Sequence, residues 1–128
     1  EYKIQKTNNR IDNHINKELT MANNYKFKGV ALATTDETAL LTAASTETII
    51  IRSIRVTNNT ANTPTVSMDL SDNSASVEYT ILKTQTLVAN TAVEILTVPL
   101  VLEASDALKA TISSSDSTHI GMSYLVIT

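Results

Sequence analysis

Few side chains in this sequence could carry out chemistry. It has two histidines, His14 and His119, and only His119 has suggestive neighbours, Asp116 and Ser117. A Ser/His/Asp triad is defined by converging geometry, which adjacent residues of one loop do not supply. His119 therefore reads as a partly exposed loop histidine. Asp69, Asp72 and Asn73, with Ser71 and Ser74 nearby, form the best oxygen cluster for a hard cation. Their spacing matches no defined calcium loop, and an Asp/Asn/Ser turn needs no metal. Two distant histidines and no cysteine leave too few ligands for structural zinc, and they exclude disulfides. The only glycines are Gly29 and Gly121, so no Gly-rich phosphate-cradling loop is present. One Phe, four Tyr and no Trp make a poor set of aromatic platforms for a sugar-cleaving site. Asn58-Asn59-Thr60 fits a glycosylation acceptor but reads as a turn. The expectation is a protein with no catalytic, cofactor or metal site, and not an enzyme.

The elements that would position these groups are strands. Thr65-Val66-Ser67-Met68-Asp69-Leu70 alternates apolar and polar residues, the mark of a half-buried strand. Similar runs begin at Tyr25, Thr38, Thr48, Val77, Val93, Ala107 and His119, with short pieces at Thr86 and Leu100. The runs at 65–70 and 77–82 flank Ser71–Ser74 and predict a hairpin. Pro99 cannot donate to a ladder and predicts a break. In the last two runs, Leu108, Ala110 and Ile112, then Ile120, Met122, Tyr124 and Val126, should face the core. Eight or nine short strands at this spacing predict an all-β fold, an antiparallel β-sandwich or jelly roll.

Thr48–Thr57 breaks the alternation. Ile50, Ile54 and Val56 share one parity, Ile49 and Ile51 the other, and Arg52 intrudes. This predicts a bulge near Arg52-Ser53. It also makes Ile49, Ile51 and Arg52 a candidate subunit interface, with the two isoleucines opposite the core face. The loops at 58–64 and 113–117 offer Asn58, Asn59, Asn62, Ser115 and Asp116 as candidate receptor contacts.

The charge is unevenly spread. Residues 1–28 hold six Lys/Arg against three Asp/Glu, a net of +3; residues 29–128 hold four against ten, a net of −6. A basic arm ahead of an acidic body suits an acidic partner surface or a solvated leader. The arm, residues 1–24, is Asn-rich, and Ile4, Ile11, Ile15 and Leu19 recur at roughly helical spacing. It reads as a short stalk helix or an extended attachment arm. The β-sandwich domain spans 25–128. Met21-Ala22 reads as a natural start, leaving 1–20 as an extension or the end of a preceding segment. No apolar stretch approaches the roughly 18 residues of a membrane-spanning helix. Tyr25-Lys26-Phe27-Lys28 is the only stretch with nucleic-acid-binding chemistry, and its aromatics read as core anchors. Neither nucleic acid nor membrane is an expected partner.

Three phrases carry a family resemblance: Met21 to Gly29 (MANNYKFKG), Thr48 to Asn59 (TIIIRSIRVTNN) and Ser123 to Thr128 (SYLVIT). Together they resemble small virion structural proteins of tailed bacteriophages, especially marine ones, across residues 21–128. The resemblance implies a β-sandwich that decorates the capsid or forms a head fibre or tail knob, often as a trimer. It implies the virion as location, with copies of itself and the major capsid protein or another virion protein as partners. On this reading the chain stabilises a capsid through subunit contacts. The alternative is a fibre knob that binds a host-surface receptor.

Overall fold

A computed structural model describes residues 23–128. Nine strands form two antiparallel sheets, and no helix occurs among the described residues. The strands are β1 (Asn23–Leu32), β2 (Thr38–Thr42), β3 (Thr48–Asn58), β4 (Thr65–Asp72), β5 (Val77–Thr86), β6 (Ala92–Glu94), β7 (Leu100–Leu102), β8 (Ala107–Ile112) and β9 (Thr118–Ile127). The first sheet runs β1-β9-β3, with β6 and then β7 on the far side of β3; the second runs β2-β8-β4-β5. Apart from the β4–β5 hairpin and the β6–β7 pair, successive strands cross from one sheet to the other. This is the wrapping of a jelly roll, with its sixth strand broken in two as β6 and β7. Pro99 lies in that break, and Ile95 N–H reaches back to the Ile54 carbonyl before it (2.8 Å).

The inner faces close on one core, whose centre includes Ile51, Ile54, Met68, Leu108, Ile120 and Met122. Strands β8 and β9 alternate as their sequences predict, with the expected side chains inward. The expected bulge in β3 is present: Ile51 pairs with Tyr124 and Ser53 with Ser123, so Arg52 is the extra residue. Its consequence reverses the expected facing. One inserted residue switches side-chain parity, so Ile49 and Ile51 point inward before the bulge and Ile54 and Val56 inward after it. Ile51 is fully buried and Ile49 nearly so. Neither presents a side chain to a partner, and only Arg52 of that trio is exposed.

A second correction concerns Tyr25 and Phe27, which read as core anchors. They are 74% and 71% exposed. They pair with Leu125 and Ser123, which lie on the outer face of β9, whereas Lys26 and Lys28 pair with inward-facing Tyr124 and Met122. The N-terminal half of β1 is an edge with the opposite sheet not covering it, so even its inner-face lysines reach water. Only from Val30 to Leu32 does β1 join the core.

Strand β5 is the edge of the other sheet. Register shifts at Val66/Met68 and Met68/Asp69 bulge it against β4, and Thr84 N–H donates to Ser67 Oγ (3.0 Å). The shift slips Ile81 out of register and brings Leu82 opposite Met68, where it packs on the core. Val77, Tyr79 and Ile81 remain exposed.

Candidate interaction face

The outer face of the β1-β9-β3-β6/β7 sheet holds two adjoining features. Cross-strand register places side chains in rows, because directly paired residues project to the same side. Tyr25 pairs with Leu125, Leu125 with Ile50, and Ile50 with Val101. An apolar row therefore crosses the whole sheet on its solvent side. Tyr25 and Val101 are exposed, while Leu125 and Ile50 are half-buried beneath their neighbours. The sequence signal was the surplus isoleucine in Ile49-Ile50-Ile51; the bulge decides that Ile50, not its neighbours, faces out.

About four residues along, roughly 13 Å at the usual rise of a strand and past the row Phe27, Ser123 and Ser53, lies the row Gly29, Gly121, Arg55 and Glu94. Beside it run Ala31, His119, Thr57 and Ala92. The β1, β9 and β3 members of these rows line an open trough of about 670 Å³, together with Phe27, Ser53 and Ser123. The only two glycines of the chain stand opposite each other in its floor. A Cβ on Gly121 would meet the Phe27 ring at 3.1 Å, whereas one on Gly29 would meet it at an ordinary 3.5 Å.

Glu94 lies across from Arg55 on β6, beyond the residues that line the trough. One carboxylate oxygen accepts from Ser53 Oγ, and the other accepts from the backbone N–H groups of Ile54 (2.7 Å) and Leu96 (3.2 Å). Partial burial pushes this carboxyl upward. The Ser53 hydroxyl, the two N–H donors and the nearby Arg55 charge together outweigh that and hold it below its ordinary value. Glu94 thus bridges β6 and the bulge in β3. No salt bridge joins Arg55 to a carboxylate among the described residues.

The two predicted receptor loops meet at one end of the sandwich. Asn62 Nδ2 donates to Asp116 Oδ1 (2.8 Å), and Ser114 Oγ donates to Asp116 Oδ2 (2.5 Å). Those two hydrogen bonds, Ser114 foremost, hold the Asp116 carboxyl below the usual range. Asp116 is thus committed to Asn62 and Ser114, so the imagined Ser117/His119/Asp116 triad does not assemble. His119 lies on a strand, in the trough, not in a loop. Asn59 and Ser115 are exposed. Asn58 is not a surface contact: it is 1% exposed. Its amide donates to the carbonyls of Asn62, Leu87 and Val88, and its oxygen accepts from Thr60 N–H and Oγ1. It shapes the loop from inside.

The candidate cation ligands separate. Asp72 Oδ1 accepts from Ser74 and Ala75, the self-capped turn of a hairpin, and the Ser74 hydroxyl leads in holding its carboxyl below the usual range. Asp69 sits instead with Glu37 and Glu78 on the outer face of the second sheet. Lys109 Nζ lies 3.0 Å from Glu78 and 3.7 Å from Glu37, so a protein cation already occupies that acidic group. Residues Ile4, Ile11, Ile15 and Leu19 of the candidate attachment arm lie outside the described residues.

No protein-family model and no curated protein matches the chain. Several solved structures are similar. The nucleoplasmin-like core of a Drosophila protein, described with pentamer formation and histone binding, shares 19% identity at a TM-score of 0.48 and covers 77% of this chain and 96% of its own. A Bacillus endospore appendage pilus protein shares 10% (TM-score 0.49, covering 84% and 90%). A cyanophage Pam1 capsid chain shares 14% (TM-score 0.44, covering 80% and 85%). Likeness at this distance bears on the β-sandwich fold and on nothing finer, and the topology establishes that fold without it.

Proposed function

We propose that this chain is a structural subunit of a bacteriophage particle. It decorates or protrudes from the capsid, stabilises it through subunit contacts, and assembles with copies of itself as a trimer. The observation that carries the self-assembly is the apolar row Tyr25, Leu125, Ile50 and Val101 crossing the outer face of a sheet. A contiguous apolar stripe on a solvent face is costly to leave bare, and symmetric association covers it. The phage assignment is supported by the sequence resemblance over residues 21–128. On this reading the role is non-enzymatic, and Asp116, the carboxylate nearest His119 in sequence, is engaged by Asn62 and Ser114.

A second reading, a fibre knob, has one observation in its favour: Asn62 and Asp116 join two exposed loops into one rigid tip. Copy number separates the two. Gel densitometry of purified virions should find this chain in numbers comparable to the major capsid protein. A small fraction of that number would replace decoration with the fibre. Light scattering of the purified chain should give a trimer mass, and a monomer at high micromolar concentration would refute self-assembly.

A further inference from the structure

The trough itself points to a ligand. Among the described residues, four that are not glycine adopt left-handed backbone: Ser76 (φ 53°), Thr84 (52°), Asn90 (55°) and Ser105 (66°). That is where glycine ordinarily relieves strain. Both glycines instead sit in regular strands, and neither has a positive φ. What they contribute is therefore a missing Cβ. A glycine in a strand interior often marks a close approach by a ligand or another backbone. At Gly121 the approaching group is Phe27. At Gly29 the same ring lies in ordinary van der Waals contact with the place of a Cβ, so the two glycines let Phe27 lie flat across the sheet while 71% of the residue stays exposed.

Charge says what could enter. Residues 29–128 carry a net of −6, yet the trough is lined by Arg55 and by no carboxylate. Glu94 turns its oxygens to Ser53, Ile54 and Leu96, which leaves the Arg55 guanidinium with donors to offer. Phe27 supplies an open aromatic surface, and Thr57 and His119 supply hydrogen-bonding edges.

We propose that the trough over Gly29 and Gly121 binds an acidic carbohydrate, with a sugar ring against Phe27 and its carboxylate on Arg55. A pyranose has one C–H face for an aromatic ring and a hydroxyl rim for polar side chains. A carboxylate suits the planar fork of a guanidinium. An extended peptide would find its free main-chain groups along the outer edge of β1, beside the trough, and none over β9 and β3, which are paired on both sides. A nucleic acid would need a cationic track, and this acidic body offers the trough one guanidinium. The inference holds whether the chain decorates a capsid or tips a fibre.

The test is an NMR titration of the ¹⁵N-labelled full chain with tri-galacturonate, with 3′-sialyllactose and with neutral galactotriose. Expected are shifts at Gly29, Gly121 and Arg55 with at least one acidic sugar, at about millimolar affinity or better. Arg55→Gln and Phe27→Ala should each weaken binding about tenfold or more, with the signals of the core strands β3, β4 and β8 unchanged away from residue 55. Galactotriose binding as well as the acidic sugars overturns the role of Arg55. The proposal fails if neither acidic sugar shifts the trough at about 10 mM, where a millimolar site is filled. It also fails if hexaglutamate or a thymidine hexanucleotide binds more tightly than both sugars.

Discussion

On the outer face of the β2-β8-β4-β5 sheet, Lys109 stands between Glu78 and Glu37, with Asp69 beside them. The charges answer one another, and water covers the rest. On the outer face of the other sheet, an apolar row crosses four strands and a trough carries a guanidinium with no carboxylate in salt-bridge range among the described residues. Both faces come from the same period-2 pattern. Which outward residues occupy it gives one face paired charges and the other an apolar row beside a guanidinium with no carboxylate in salt-bridge range among the described residues. A β-sandwich therefore announces an interface by the surface whose groups do not satisfy each other.

The largest effect tests whether the inner and outer rows of β3 are correctly assigned. Ile51→Ala should cost about 2–5 kcal/mol of unfolding free energy in urea melts, the loss expected of a buried isoleucine. The subunit mass of the folded fraction should not change, since Ile51 faces the core. A change of mass without loss of stability would return Ile51 to the interface.

Next comes the apolar row. Tyr25→Ser with Val101→Thr should weaken self-association about tenfold or more, near 1.4 kcal/mol, in analytical ultracentrifugation, and leave the melt intact. The matched pair on the other sheet, Val77→Thr with Tyr79→Ser, should leave association unchanged. If the β5 pair dissociates the protein instead, its free edge is the interface and the contrast between the faces is wrong.

Glu94 gives a smaller effect with a defined pH window. Its folded carboxyl lies below its ordinary value. The stability it contributes is therefore complete above the unfolded value of about 4.3, and is lost as pH falls through the folded one. Glu94→Gln should flatten the acid limb of the stability curve below about pH 4.5, removing about 0.5 kcal/mol once solvent screening is allowed for. Equal acid limbs in the two proteins would remove Glu94 as the tie between β6 and the bulge.

The smallest effect belongs to the face that balances itself. Lys109→Gln should lower the melting temperature only slightly, and added salt should reproduce the change in the parent protein. A large loss would mean that this face, too, depends on its charges.

Much of the fold can be read directly from the residues. Leu108-Lys109-Ala110-Thr111-Ile112 and Ile120-Gly121-Met122-Ser123-Tyr124 alternate, and strands flanked on both sides bury one parity. The bulge at Arg52-Ser53 was also legible, because a charge breaks an apolar run there. Its effect on parity was not, since reversing a facing depends on counting residues against a partner strand. Asn58 misled for a related reason: an Asn in a loop favours water until carbonyls of a distant segment, Leu87 and Val88, supply acceptors.

The sequence by itself therefore determined the class of the protein: an all-β sandwich with no cysteine and an acidic body. Period, turn residues and composition are local and additive, and they are read one segment at a time. Only the tertiary structure decided which side of each strand is the outside. That choice set Ile50 and not Ile51 on the surface, turned Tyr25 and Phe27 outward, and placed Gly29 opposite Gly121 beside Arg55. Register between segments nearly a hundred residues apart fixes these neighbours, and no local pattern encodes it.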